Sequence, residues 1–194
     1  MAASAPAVSP VTATAAAPSA PRKALVTGAS SGLGLAIARK LLADGWRVIV
    51  SGRSTERLRA AFADVDAGAA TVPASTAPPS ARIVMVEADL ATVAGVDAMV
   101  AATVAATHGR LHLLVNNAGA GAIGQALGAP GTTAEALDAV LHLNVRAPYL
   151  LIHGLVPALV DAPRGVVVNL SSIAASRPLA GLASYCMSKA AIES

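Results

Sequence analysis

Thr27-Gly28-Ala29-Ser30-Ser31-Gly32-Leu33-Gly34 is the stretch on which the reading of this chain turns. It follows a short apolar run, Ala24-Leu25-Val26, and leads into Leu35-Ala36-Ile37-Ala38-Arg39-Lys40-Leu41-Leu42. The order is strand, glycine turn, helix. A helix N-terminus offers unpaired N–H groups and the positive end of a dipole. A pyrophosphate can sit there if the backbone comes close to it, and glycines permit that approach. The glycines fall as G-x-x-x-G-x-G, not as the G-x-G-x-x-G of the dinucleotide fingerprint. Alone, such a turn is equally a plain Gly/Ser loop.

Working outward, the helix over 32–43 carries Leu33, Ile37, Leu41 and Leu42 at apolar-face spacing, and Asp44-Gly45 ends it. Trp46-Arg47-Val48-Ile49-Val50-Ser51 is the second strand. Strand, helix and strand make a βαβ unit of about 30 residues, the context a nucleotide fingerprint needs. What ends the second strand bears on the cofactor. An NAD site wants a carboxylate about 20 residues past the glycines, for the ribose 2′-OH. Here stands Ser51-Gly52-Arg53. No carboxylate repels a 2′-phosphate, and Arg53 can pair with one through two charge-assisted bonds. The expected cofactor is therefore NADP(H) in preference to NAD(H). The alternative is that Arg53 is a solvated residue opening the next helix.

The rest repeats the alternation. A helix is expected over 54–64, with Ser54 as cap, then a Pro/Ala/Ser/Thr-rich insertion over 66–80. Ile83-Val84-Met85-Val86 is the third strand, followed by Asp89-Leu90. A helix follows over 93–108, with Val96, Met99, Val100 and Val104 as its apolar residues and Gly109 closing it. Leu111-His112-Leu113-Leu114-Val115 is the fourth strand, apolar enough for a parallel strand covered on both faces. It runs into Asn116-Asn117-Ala118-Gly119 and a Gly/Ala-rich loop to Gly131. Thr132 is expected to cap a helical stretch that holds Asn144, bends near Pro148 and reaches Val160. Val166-Val167-Val168-Asn169-Leu170 is the fifth strand, with Ser171-Ser172 past its carboxyl end, where open α/β sheets bind ligands. A last helix over 183–194 contains Tyr185 and Lys189.

Composition narrows the classes. The 194 residues suit one domain, and with aromatics at 2% the core must be aliphatic. The net charge of +3 is scattered, with no basic stripe, which argues against nucleic-acid binding. No apolar run reaches the roughly 18 residues of a membrane span. Cys186 is the one cysteine, so there is no internal disulfide. His108, His112, His142 and His153 lack zinc-like spacing, and no metal site is expected. Residues 1–22 are Ala/Pro/Ser/Thr-rich and free of acids, a composition for a disordered tail ahead of a domain over 23–194. Such a tail also has the composition of a transit peptide, so organellar import stands beside a cytoplasmic location.

The chemistry lies in the last third. Tyr185 and Lys189 are four apart and share one helix face. A free tyrosine titrates near ~10, and a neighbouring ammonium favours the phenolate. The pair suits proton exchange with a carbonyl or alcohol, although an exposed tyrosine beside a surface lysine has the same spacing. Ser172 offers a hydroxyl to a carbonyl oxygen from a strand end, or belongs to an ordinary turn. No Gly-x-Ser-x-Gly elbow is present, which disfavours serine hydrolysis.

As a set, these segments closely resemble the short-chain dehydrogenase/reductase family over about residues 23–194. Thr27-Gly28-x-x-x-Gly32-x-Gly34 is similar to that family's cofactor turn, Asp89 to the aspartate that meets adenine, and Asn116-Asn117-Ala118-Gly119 to the motif that steadies the central sheet. Asn144, Ser172, Tyr185 and Lys189 match its catalytic tetrad, with Ser172 thirteen residues before Tyr185 and a better match than Ser171. The resemblance implies an α/β Rossmann-like doubly wound parallel sheet in strand order 3-2-1-4-5. It implies cofactor contacts from Thr27, Gly28, Ser30, Ser31, Gly32, Leu33, Gly34, Arg53, Asp89, Leu90, Asn116, Ala118, Gly119, Tyr185 and Lys189. The implied chemistry is hydride exchange between nicotinamide and a small-molecule carbonyl or secondary alcohol. Tyr185 exchanges the proton, and Lys189 binds the nicotinamide ribose and lowers the tyrosine pKa. Ser172 holds the substrate oxygen, and Asn144 positions a water.

Two departures qualify the match. Many NADP-dependent members carry a basic residue before the second turn glycine, where this chain has Ser31, leaving the preference to Arg53. Members of the family also continue for several tens of residues beyond the position of Ser194, with two more strands and a substrate loop. The chain is thus expected to be C-terminally incomplete. Homo-oligomers of full-length relatives pair helices equivalent to 132–160 and 183–194, so assembly stays open here. A catalytically inactive nucleotide-binding fragment is the rival to an oxidoreductase, and a Tyr/Lys epimerase or dehydratase is the other alternative.

Overall fold

The computed structural model describes residues 20–65, 82–121 and 133–194. Most of the expected N-terminal tail, the insertion over 66–80 and the loop to Gly131 lie outside the described residues. The elements are β1 (Lys23–Val26), α1 (Gly32–Ala43), β2 (Arg47–Gly52), α2 (Thr55–Ala61), β3 (Ile83–Glu87), α3 (Val93–Thr107) and β4 (Leu113–Asn116). They continue as α4 (Ala134–Leu141), a π-turn (His142–Arg146), α5 (Ala147–Val160), β5 (Val166–Asn169), a 3₁₀ turn (Ile173–Ala175) and α6 (Ala183–Ala191). All strand pairs are parallel and the sheet order is 3-2-1-4-5, the doubly wound topology expected from the sequence.

Strand alternation sorts the aliphatic side chains onto two faces. Leu25, Ile49, Val84 and Leu114 face α3 and α5, where Val96, Met99, Leu151 and Leu155 cover them. Val26, Val48, Val50, Ile83, Met85 and Val115 face α1 and α2, under Ala38, Leu42, Leu58 and Phe62. Each fully buried aliphatic side chain of this kind contributes about 1.5–3 kcal/mol. β5 is the sheet's edge, and its Val166, Val167 and Val168 are exposed.

Several boundaries differ from the sequence reading for physical reasons. The buried stripe of α1 is Gly34, Ala38 and Leu42, whereas Leu33 is 60% exposed because its turn lies over the sheet's carboxyl end. The fourth strand begins at Leu113, since the N–H of Leu111 turns away to the Ala158 carbonyl. In α3, Thr103 and Thr107 are buried and Val104 is exposed. The threonine hydroxyls reach the Met99 and Thr103 carbonyls, which makes their burial cheap. The cap of α4 is Thr133, whose Oγ1 accepts from the Ala136 N–H at 3.2 Å, and Thr132 lies outside the described residues. The expected bend near Pro148 is instead the π-turn just before it. Proline has no N–H to close the ordinary bond to the Asn144 carbonyl, and the ladder widens there. The helical stretch Ala134–Val160 is long and apolar enough for a membrane span by length and composition. Val140, Ala147, Leu151, Leu155 and Ala158 are nevertheless buried in the fold, as in a core helix.

At the amino-terminal ends of the central strands β1 and β4, the Lys23 N–H donates to His112 Nδ1 at 3.1 Å, and the His112 N–H returns a bond to the Lys23 carbonyl. Burial, then the charges of Lys23, Arg22 and Arg110, hold the His112 imidazole below its ordinary value. A neutral Nδ1 is required to accept that bond. Protons therefore favour the unfolded chain. This stability is complete above the ordinary value of about 6.5 and is lost as pH falls from there through the folded value. Thermal melts from about pH 7.5 to about pH 5.5 are expected to drop more steeply for the wild type than for His112→Asn, which keeps an acceptor but does not titrate. Equal slopes would remove His112 as the cause.

Candidate functional site

The glycine turn is held from both sides. Thr27 is buried at the end of β1, and its Oγ1 accepts the N–H groups of Asn117 and Ala118, both at 3.0 Å. Asn117 Nδ2 returns two bonds, to the Thr27 carbonyl at 2.8 Å and the Gly28 carbonyl at 3.1 Å. On the other side the Ala29 N–H donates to the Ser51 carbonyl at 2.9 Å. Gly28 sits at φ +66°, a left-handed conformation that favours glycine. Gly34 is required for a different reason. A Cβ there would lie 2.3 Å from Asn117 Nδ2 and 2.6 Å from the Gly28 carbonyl oxygen.

A cleft of about 390 Å³ opens above this turn. Its floor is Gly28, Ser30, Ser31 and Leu33, and its far wall is Ala118, Gly119 and Ala120. One end is closed by Arg53 and Arg57, the other side by Ala88, Asp89 and Leu90. A second cleft holds Tyr185, Lys189, Ser171, Leu170 and Leu182. The two share Leu33, Asn117, Gly119 and Ala120, so they form one trough along the carboxyl ends of the strands.

Of the expected site residues, Thr27, Gly32, Gly34, Asn116, Asn144 and Ser172 do not line the trough. Asn116 Nδ2 instead donates to Asn169 Oδ1 across β4 and β5 at 2.8 Å. Asn117 lines both clefts in its place. It sits at the irregular residue just past β4, where strand alternation no longer tells which amide faces in. Arg57 was also missed, although its spacing from Arg53 on a helix start was a usable signal.

Asn144 lies in the π-turn and is 2% exposed. Its Oδ1 accepts the Ala120 N–H at 2.9 Å, while Nδ2 donates to the Ala120 carbonyl at 2.9 Å and to Ser188 Oγ at 3.0 Å. Lys189 Nζ lies 5.7 Å from the Tyr185 ring centre and donates to the Leu170 carbonyl at 2.6 Å. Burial holds the Lys189 ammonium below the usual lysine range. The two serines past β5 are differently engaged. Ser171 lines the trough, and its hydroxyl proton goes to Glu193 Oε1 at 2.6 Å. Ser172 caps the 3₁₀ turn by accepting the Ala174 N–H at 3.2 Å.

The trough fits a dinucleotide on its own geometry. The first turn of α1 carries no side-chain cap and no acid, which leaves its N–H groups without a capping side chain. The floor includes one glycine, Gly28, and cations stand at one end.

Comparison with known proteins agrees with this arrangement. The family model described as short chain dehydrogenase matches residues 22–194. The chain belongs to the short-chain dehydrogenase family. Among its relatives, 2-(R)-hydroxypropyl-CoM dehydrogenase of Xanthobacter autotrophicus is 35% identical over 178 residues, covering 88% of this chain and 64% of that protein. Galactitol 2-dehydrogenase of Agrobacterium fabrum is 34% identical over 170 residues, covering 87% and 59%. A metagenomic short-chain oxidoreductase solved in complex with NADP superposes with a TM-score of 0.75 at 37% identity, covering 89% of this chain and 72% of that one. A 3-ketoacyl-(acyl-carrier-protein) reductase from Brucella melitensis, complexed with NADH, gives 0.73 at 28%, covering 88% and 65%. The chain spans about three fifths of the length of the curated relatives it matches.

Gly34→Ala is expected to push Asn117 off the turn at a cost of about 1–3 kcal/mol, seen as a lower melting temperature, together with weakened dinucleotide binding in a fluorescence titration. Unchanged melting and binding would show that the contact between turn and amide is dispensable.

Proposed function

We propose that this chain carries the nucleotide-binding and catalytic centre of an NADP(H)-dependent oxidoreductase acting on a small-molecule carbonyl or secondary alcohol. One observation carries the reading: the anion-binding end of the trough and its proton-exchanging end share one wall, Asn117, Gly119 and Ala120. The complexes of related structures with NADP, NADPH and NADH support a nicotinamide dinucleotide. The uncapped turn at Ser31–Leu33 would receive its pyrophosphate. Arg53, exposed at the end of β2 and seconded by Arg57, would pair with a 2′-phosphate. Asp89 and Leu90 would flank the adenine end. The bound nicotinamide supplies hydride to the carbonyl carbon, or takes it from the alcohol.

The protein's own groups handle the oxygen and its proton. The Tyr185 phenol gives a proton to the oxygen in reduction and takes it back in oxidation. The Lys189 ammonium, lodged near the ring, stabilises the phenolate by its charge and would hold the nicotinamide ribose. Ser172 accepts the Ala174 N–H and so keeps its own proton to donate to the substrate oxygen, whereas the Ser171 proton is committed to Glu193. Asn144 has both amide protons engaged within the protein. It would hold the relay water through an oxygen, its carbonyl being the one to which Pro148 offers no N–H.

The test is a titration of the purified chain with NADPH and NADH, followed by NADPH-dependent carbonyl reduction. NADPH is expected to bind the more tightly, and Arg53→Ala to weaken NADPH by about tenfold or more while leaving NADH nearly unchanged. Equal weakening of both, or no preference in the wild type, would defeat the assignment of Arg53. Tyr185→Phe is expected to abolish turnover with NADPH binding intact. Ser172→Ala should lower kcat by roughly 10²-fold and Ser171→Ala far less, and the reverse order would exchange their roles. Tight NADPH binding with no carbonyl reduced would favour an inactive binding fragment.

A further inference from the structure

Ser188, one residue before Lys189 on α6, is fully buried at 0% exposure and lies outside the trough. Its hydroxyl donates to the Tyr185 carbonyl at 2.8 Å and accepts from Asn144 Nδ2 at 3.0 Å. A serine hydroxyl has one proton and two lone pairs. With the proton spent on Tyr185, the oxygen can only accept from Asn144. This decides which end of the Asn144 amide faces α6. The nitrogen must face Ser188, which leaves Oδ1 for the Ala120 N–H and the second amide proton for the Ala120 carbonyl.

We infer that Ser188 is a positioning residue for the reaction. It fixes the rotation of the Asn144 amide and ties the π-turn, through one oxygen, to the backbone of Tyr185. The loop wall at Ala120 and the helix bearing Tyr185 and Lys189 are thereby held in one register. This rests on the oxidoreductase reading. Alanine at 188 would leave an Asn144 proton unpaired in a dry site, so the amide would turn or α6 would shift. Displacements of about 1 Å in groups that orient a reaction cost up to about 10²-fold in rate.

The test compares Ser188→Ala, Ser188→Cys, Asn144→Ala and the combined Ser188→Ala/Asn144→Ala chain with the wild type. Turnover is read with NADPH and 9,10-phenanthrenequinone, a reactive dicarbonyl that asks little of substrate recognition, and rates are normalised to NADPH-binding sites. A hydroxyl that merely stabilised the fold would change the number of sites and not the rate per site. Ser188→Ala is expected to lower kcat by roughly tenfold or more, with KM and the NADPH dissociation constant within about twofold. Ser188→Cys should be intermediate, and it decides the matter if Ser188→Ala does not fold. The combined chain should be no slower than Asn144→Ala alone, because both lose one interaction. In nuclear magnetic resonance spectra, the Asn144 side-chain amide protons should resist exchange in the wild type and lose that protection in Ser188→Ala. An unchanged kcat per site, or effects of the two substitutions that multiply, would overturn the inference. If the wild type reduces no carbonyl, the oxidoreductase reading fails and takes the positioning role with it, while loss of amide protection would still verify the hydrogen bond. If the wild type turns over and Ser188→Ala matches it, the assignment of Ser188 alone fails.

Discussion

The latch between Thr27 and Asn117 is the constraint on which the trough depends. Between the ends of β1 and β4, five hydrogen bonds use one hydroxyl, one side-chain amide and neighbouring backbone groups. In a buried site such bonds reinforce one another, and losing a member strands the rest. The latch sets where the glycine turn can run, and so where the first N–H groups of α1 point. It also dictates Gly34, because the Asn117 amide occupies the space a side chain would need.

The end of the trough that holds Tyr185 and Lys189 is fixed by the same kind of physics with different parts. α6 is a short helix with no side-chain cap, and tertiary bonds hold it in place. Lys189 reaches the carbonyl at the end of β5, Ser171 reaches Glu193, and Ser188 reaches the π-turn. Two of these bonds join the helix and the residues after it to the segment just past β5, and the third joins it to the π-turn, so Tyr185 is placed from two sides at once. The π-turn belongs to this design. It arises where Pro148 breaks the helical ladder, and it puts Asn144 against both the loop wall and α6.

Much of this was legible from residue order. The periodicity switch around the glycine turn, the repeated strand–helix alternation and the polar residues after each strand place the ligand edge without coordinates. The resemblance carried by Asn144, Ser172, Tyr185 and Lys189 pointed to the end of the trough that holds Tyr185 and Lys189. The misreadings share one cause. Leu33 counted as core because helix spacing cannot tell that the first turn overhangs the sheet. Leu111 counted as strand because a buried leucine looks the same whether its N–H joins the ladder or turns to a helix carbonyl. Asn117 lines the cleft where Asn116 does not, because one residue's shift in register reverses which of two adjacent amides faces it.

By itself the sequence determined the fold class, the strand order through its likeness to a known family, the glycine turn and the residue types available for chemistry. These depend on local spacing, and the covalent chain carries that information directly. Only the tertiary structure decided that Asn117 and not Asn116 lines the trough, that the Asn144 amide protons are spent on Ala120 and Ser188, and that Ser171 and Ser172 differ in where their protons go. Hydrogen bonds are short and directional. Their partners here lie up to 91 residues apart in the chain, and that pairing exists only once the elements have packed.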